Sequence, residues 1–312
     1  MKEFIITDRQ SGQRLDKYLF KIFEKAPKSF IYKMLRKKNI VLNNKKAGGN
    51  EKLHISDSVK IYFSDETFEK FSTDITVPKK KNYHLNIIFE DSDILILNKP
   101  SNVLSQKASS DDVSINEQIL SYLIDSKQLF ESDLIDFRPS IANRLDRNTS
   151  GLILAGKTVT GLQQLANCLK NRSLKKFYRC MVAGEIRAPK LIKGFLTKDS
   201  DSNKVFISEA QSEGSQPICT YYQPIRVFSG YSYLEIELIT GRSHQIRAHL
   251  ASIGHPIIGD RKYGNKTVND YWKSHCNVKS QMLHSYRMVF PDGREYVADL
   301  PNEFKTVLER LS

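Results

Sequence analysis

The chain has 312 residues, 40% of them hydrophobic, with 48 Lys and Arg against 35 Asp and Glu for a formal net charge of +13 and a pI near 9.4. That length accommodates a small domain and a larger one, each with its own core. No stretch approaches the ~18 apolar residues of a membrane span, and Met1 to Arg9 lacks the apolar centre of a secretory signal, so the expectation is a cytoplasmic protein with no membrane contact.

The charge is uneven along the chain. Residues 1–83 carry 19 Lys and Arg against 10 Asp and Glu, a net of +9, which leaves +4 for the rest. A compact basic unit ahead of a nearly balanced body reads as a footprint for a polyanion, most often nucleic acid, with solubility as the plain alternative. From Arg14 the residues Leu15, Tyr18, Leu19, Ile22 and Phe23 recur at helical spacing. A second run, Phe30, Ile31, Met34 and Leu35, follows Pro27-Lys28-Ser29, where Pro27 closes the first helix and Ser29 can cap the second. The outer face of the second helix would carry Lys28, Lys33, Arg36, Lys37 and Lys38. Short β-prone pieces at residues 40–43 and 59–63, separated by the Gly48-Gly49-Asn50 turn, complete a unit placed at residues 12–70. Residues 64–83 lose hydrophobic periodicity and end in Pro78-Lys79-Lys80-Lys81, so a linker is assigned to 71–82.

The second domain, 83–312, opens with strands at 87–89 and 94–97 around Asp91-Ser92-Asp93, followed by Asn98-Lys99-Pro100 and a helix over 114–124. A polar turn around Asp146 precedes a strand at 152–155 and a helix at 159–169. Strands are predicted at 177–182, 218–222, 233–239, 288–290 and 296–298, with a closing helix at 303–311. Strands follow one another without crossover helices, which favours an α+β fold with a largely antiparallel sheet over a doubly wound one. There is no internal repeat. The four cysteines, Cys168, Cys180, Cys219 and Cys276, form no Cys-x-x-Cys pair and have no histidine at zinc spacing, so they read as reduced thiols.

Three clusters could carry chemistry. In Asn143-Arg144-Leu145-Asp146-Arg147-Asn148-Thr149-Ser150-Gly151 one carboxylate lies between two arginines, where it can serve as nucleophile or as ion-pair anchor. Lys175-Lys176-Phe177-Tyr178-Arg179 is a basic strand around a tyrosine, and Thr240 to Leu250 holds Arg242, His244, Gln245, Ile246, Arg247 and His249, continuing to Gly259-Asp260 and Tyr263-Gly264. Each alone has a plain explanation: a turn aspartate, a packed tyrosine, arginines on a solvated helix face. His-Glu-x-x-His and glycine-rich phosphate loops are both missing, so neither metal nor nucleotide cofactor is indicated.

In combination, Arg144-Leu145-Asp146-x-x-Thr149-Ser150-Gly151, Thr240-Gly241-Arg242-x-His244-Gln245-Ile246-Arg247-x-His249 and Gly254-x-Pro256-Ile257-x-Gly259-Asp260-x-x-Tyr263-Gly264 resemble the RluA family of RNA pseudouridine synthases. Lys175 to Tyr178 is similar to the family's tyrosine motif, and Leu283-His284 with Phe290 to its C-terminal motif. The resemblance covers residues 85–305. The first 70 residues resemble an S4 RNA-binding domain, through Gln13-Arg14-Leu15-Asp16 and Lys28-Ser29-x-Ile31-Tyr32-x-Met34-Leu35-Arg36.

The resemblance implies a reaction in which the uridine N-glycosidic bond breaks, the base turns, and C5 rejoins C1′. It implies Asp146 as the nucleophile, Tyr178 against the base and acting as general base at the sugar, and Arg242 paired with Asp146. It also places Ile246 in the active site and sends Arg144 into the space that the flipped base leaves. Attack at C1′ and at C6 both suit an ionised carboxylate. Arg14 and the lysines and arginine of the second helix would hold phosphates. The resemblance is strongest to the type C large-subunit enzymes, which implies 23S rRNA as partner, with no cofactor and no obligate protein partner. Two positions depart from the family pattern: Asn143 stands where His is usual, and Val103-Leu104-Ser105-Gln106 replaces a stretch that ends in Val-His. A tRNA-modifying member and a non-catalytic ribosome-assembly factor are the rival expectations. A glycosidase would need a second catalytic carboxylate.

Overall fold

The computed structural model describes residues 1–72, 83–109, 112–135, 137–199 and 204–312. Its N-terminal part runs β1 (Lys2–Ile5), α1 (Leu15–Ile22), α2 (Lys28–Arg36), β2 (Ile40–Leu42), β3 (Lys45–Lys46), β4 (Ser58–Ile61) and α3 (Asp65–Phe71). The strands form an antiparallel sheet in the order β1-β4-β2-β3. Helical spacing turns Leu15, Tyr18, Leu19 and Ile22 of α1 and Ile31, Met34 and Leu35 of α2 to one core, which closes over Ile40, Val59 and Ile61.

Three local expectations change. The helix α2 starts at Lys28, so Ser29 lies inside the first turn and caps nothing; Pro27 takes the N-cap position, where its missing N–H costs no helical hydrogen bond. Residues 65–71, expected to be without periodicity, form α3, because the Ser64 hydroxyl accepts from the Thr67 N–H and Phe68 is buried against Phe23. The strand β1 was not predicted: three of its four residues are exposed, which leaves no alternation to read. Of the expected linker, residues 73–82 lie outside the described residues.

The second part contains β5 (Ile87–Glu90), β6 (Ile94–Lys99), α4 (Ile115–Asp125), β7 (Ser140–Ile141), β8 (Ser150–Gly156), α5 (Val159–Lys170), β9 (Lys175–Ala183), β10 (Lys190–Lys198), β11 (Val205–Ser208), β12 (Gln216–Phe228), β13 (Tyr231–Leu238), α6 (Gln245–Ser252), α7 (Lys266–Cys276), β14 (Leu283–Val289), β15 (Glu295–Val297) and α8 (Asn302–Leu311). It is an α+β fold on a mixed sheet of order β11-β10-β12-β13-β9-β14-β8-β6-β5, with β15 beside β14 and β7 beside β8. Every pairing is antiparallel except β14 with β8. At the centre both faces are covered: Leu95 and Leu97 join one core and Ile94 and Ile96 the other, which explains why β6 is a continuous apolar run. The four cysteines are free thiols. Among the described residues no helix is long and apolar enough to cross a membrane.

The two parts meet at Arg9. Its guanidinium donates to Asp133 and to the Gln128 carbonyl, and its own carbonyl accepts the Val159 N–H at the start of α5 at 2.9 Å.

Candidate active site

The site is built where β8 and β14 run parallel. Gly151 has φ +109°, and a Cβ there would stand 2.2 Å from the Ser285 carbonyl oxygen, so only glycine lets the two backbones pass this close. The turn that precedes it is pinned on both sides. Asn143 Oδ1 accepts from Leu154 N–H at 2.7 Å, so the amide that stands in for histidine is bonded across to β8. The Ser105 hydroxyl donates to the Leu145 carbonyl at 2.7 Å and accepts from the Leu145 N–H at 3.0 Å, which gives the departure at Ser105 a structural use. Thr149 N–H closes the turn onto the Asp146 carbonyl at 3.0 Å.

This places the Asp146 carboxylate in a cleft of about 790 Å³. Its Oδ2 accepts from Arg247 Nη1 at 2.6 Å, with His244 Nε2 3.9 Å away; Oδ1 has no partner among the described residues, and the side chain is 27% exposed. One oxygen is anchored and the other is unengaged among the described residues, on a side chain that lines the cleft.

Arg247 is itself gripped from behind. Its Nε and Nη2 donate to the two oxygens of Asp260 at 2.7 and 2.9 Å, a bidentate pair with Asp260 wholly buried. Burial works against both charges. For Arg247 the hydrogen bonds and charges of Asp260 and Asp146 outweigh it and raise the pKa; for Asp260 the guanidinium and the N–H groups of Lys262 and Tyr263 outweigh it and lower the pKa. The motif from Gly259 to Tyr263 therefore serves to hold the arginine that holds Asp146. On α6 the neighbouring residues divide the remaining work. Gln245 donates to the Cys219 carbonyl and to Thr220 Oγ1, and accepts from Arg242 N–H and Thr240 Oγ1. His244, in the left-handed conformation at φ 55°, sets Nδ1 3.0 Å from the Tyr263 hydroxyl, and burial lowers its pKa against the opposing charge of Asp146.

Lys99 closes the site from below. It is fully buried, and its Nζ donates to the carbonyls of Pro100, Val103 and Arg147 at 2.8, 2.8 and 3.1 Å, tying the end of β6 to the Asp146 turn. Burial pulls its pKa down to about 7, with the Asp146 charge opposing. Tyr178, Ile246, Leu238 and Leu283 make the apolar wall. Burial, reinforced by the Asp146 charge, pushes the Tyr178 phenol up to about 12, so it is a neutral hydroxyl at physiological pH and not a free phenolate base.

Of the residues singled out from sequence, Asp146, Tyr178, Arg144, Ile246 and Arg242 all line this cleft. The pairing of Arg242 with Asp146 is corrected: Arg242 is exposed and makes no ion pair among the described residues, and Arg247 takes that place. The reason is helical geometry. Arg242 stands in the loop before α6, while Arg247 sits on the buried first turns between Ile246 and Ala248. An arginine flanked by core residues must be paired, and that signal could have singled it out. Asp260, His244 and Lys99 were likewise missed as site residues. Arg14, Lys28, Lys33, Arg36, Lys37 and Lys38 do not reach the cleft. All are exposed on the N-terminal part, and Arg14 is bound to Asp16 and Asn50.

A mixed sheet flanked by helices carries the cleft, and Asp146 is the one carboxylate among the described residues that line it. The human protein RNA Pseudouridylate Synthase Domain Containing 4 superposes with a TM-score of 0.60 over 72% of this chain and 92% of its own, at 20% identity. The sequence matches the RNA pseudouridylate synthase family over residues 93–252, and the chain belongs to that family as an RluA-type enzyme. It is similar to the ribosomal large subunit pseudouridine synthase D of Borreliella burgdorferi, at 31% identity over 99% of this chain and 92% of that one. It is also similar to the ribosomal large subunit pseudouridine synthase C of Buchnera aphidicola, at 32% over 98% and 96%. The protein is an RNA pseudouridine synthase, an isomerase.

Proposed function

We propose that the protein acts in the cytoplasm on uridine in 23S rRNA, with Asp146 as the nucleophile. The observation that carries the assignment of Asp146 is its half-saturated carboxylate in the cleft: Arg247 fixes Oδ2 while Oδ1 has no partner among the described residues. The ribosomal substrate rests on the names of the relatives. In the reaction the N1–C1′ bond breaks, the uracil turns, C5 bonds to C1′, the C5 proton leaves to solvent and N1 takes one up.

Tyr178 lies against the base as a neutral phenol, Ile246 helps exclude water, and Arg144 enters the space the flipped uridine leaves. The N-terminal part, as an S4-type unit at residues 12–70, supplies phosphate contacts through Arg14 and the basic residues of α2; these position RNA without reading its bases. Tritium release from 5-[³H]-uridine-labelled 23S rRNA and tRNA tests this reading. Release from 23S rRNA by wild type and none by Asp146→Asn is expected; release only from tRNA would overturn the ribosomal assignment, and full release by Asp146→Asn would overturn the nucleophile.

A further inference from the structure

With Arg247 occupying the place beside Asp146, Arg242 is left as a cation with another task. It shares one side of the cleft with Lys176 of β9 and with Arg172 of the loop between α5 and β9. These three side chains make no ion pair with a carboxylate among the described residues. Lys176 is only partly exposed, and its Nζ lies 3.4 Å from where a Cβ on Gly241 would stand, so it rests against the backbone that leads to Arg242. Burial lowers the Lys176 pKa, and the charge of Arg172, another cation, lowers it further. Glu237, the nearby acid of β13, pairs in register with Phe177 and so projects from the opposite face of the sheet. Lys176 and Arg172 thus stand close enough for their like charges to oppose one another, and Arg242 lines the same cleft one residue beyond Gly241, with no ion pair to any of the three among the described residues.

We propose that Lys176, Arg242 and Arg172 form a binding site for an RNA phosphodiester, the one belonging to the flipped nucleotide or its immediate neighbour. An anion there completes three charge-assisted contacts that the protein alone leaves unmade. The position fits the reaction: Tyr178 is two residues from Lys176 on the same strand face, about 7 Å along it, so one nucleotide can rest its base on the tyrosine while its phosphate meets the lysine. The site rests on the function proposed above for the cleft, and it differs from the α2 contacts in acting beside the reacting base.

The test uses Lys176→Met, Arg242→Gln, the double variant and Lys176→Arg in the full chain, on whichever RNA releases tritium with wild type. Each neutral variant should lower kcat/KM about tenfold while kcat changes less than threefold. The slope of log(kcat/KM) against log salt should flatten by roughly 0.7 per cation removed, the value for a single-strand phosphate contact. Lys176→Arg should restore most of the activity. Loss of activity with an unchanged salt slope would make these residues structural and overturn the site, as would unchanged kcat/KM in the double variant. Should wild type release tritium from no RNA, the functional reading fails separately. The phosphate site is then judged by the salt slope of direct binding to a fluorescein-labelled single-stranded RNA, where an equal slope in wild type and double variant overturns it.

Discussion

The tripeptide Arg-Leu-Asp occurs twice, at 14–16 and at 144–146, and the fold puts the two copies to opposite uses. At the start of α1, Leu15 enters the core and Asp16 is saturated locally: Arg14 Nε and Nη2 donate to it at 3.1 and 2.7 Å and the Tyr32 hydroxyl at 2.8 Å. Burial raises the pKa of Asp16, yet the hydrogen bonds from Arg14 and Tyr32 prevail and lower it. In the second copy Leu145 also enters a core, but Arg144 turns into the cleft. Asp146 takes its hydrogen-bond partner among the described residues, Arg247, from 101 residues along the chain. The leucine is the common anchor; what the aspartate can do depends on how many of its oxygens the protein uses. A saturated carboxylate supports structure, and a half-saturated one is available to substrate.

The same substitution at both places breaks or sharpens that contrast. Asp146→Asn should cost on the order of 10⁴-fold or more in tritium release, with thermal stability almost unchanged. Asp16→Asn should leave the chemistry of a bound uridine intact and lower the melting temperature of the N-terminal part, because the amide cannot hold both Arg14 and the Tyr32 hydroxyl as the carboxylate does. Equal loss of turnover in the two variants, measured at saturating RNA, would contradict the contrast. Next in size is Arg247→Lys. A lysine cannot bridge Asp260 and Asp146 in one plane, so kcat should fall on the order of 10²-fold, far more than for Arg242→Gln. Arg247→Met should go further and lower the melting temperature, since it leaves Asp260 buried without a counter-charge, at a cost of roughly 3–5 kcal/mol.

The contrast also explains which features were legible. Helices α1, α2 and α5 announce themselves because their apolar residues follow the helical period of a surface against a core, and strands β6 and β8 because a short continuous apolar run marks a strand covered on both faces. The helix α6 does not: Gln245 through Leu250 are all buried, so it has no polar face to create a period. The opposite holds for α7, where only Trp272 and Cys276 are buried, and for β10, whose inward residues Ile192, Gly194 and Leu196 include a glycine. At the site, Asp146 was legible from its turn and from the family resemblance. Its true partner was not, because the choice between Arg242 and Arg247 depends on where α6 begins and which of its residues it turns inward. Lys99 gave no signal in sequence, since a lysine before proline reads as a strand end, and only the three converging carbonyls show its task.

Lys99 yields a prediction with a defined pH window. An unfolded lysine keeps its proton to near 10.5, whereas the buried one releases it near 7. Between those values the unfolded chain holds more protons, so this residue makes stability rise with pH, and its full cost is felt below about 7. Urea midpoints measured from pH 6.5 to 9.5 should therefore climb in wild type relative to Lys99→Met. The variant should also lose about 1–3 kcal/mol throughout from its unsatisfied carbonyls. A constant difference between the two proteins across that range would show that Lys99 stays charged.

The smallest effect separates the two explanations of the basic N-terminal part. Lys38 ends α2 at φ 60°, with its N–H on the Leu35 carbonyl and the Asn39 N–H on the Met34 carbonyl, a left-handed turn in which glycine is normally favoured. Lys38→Gly should therefore relieve backbone strain of roughly 1 kcal/mol and raise the melting temperature by a degree or more. If Lys38 meets a phosphate, the same variant should bind RNA about two- to threefold more weakly at moderate salt, with a salt slope flatter by less than 1. Opposite signs on stability and affinity would mean that the lysine is kept at a strained position for RNA. A gain in stability with unchanged affinity would assign it to solubility, and the unpaired cations of the cleft would then be the stronger RNA contacts of the molecule.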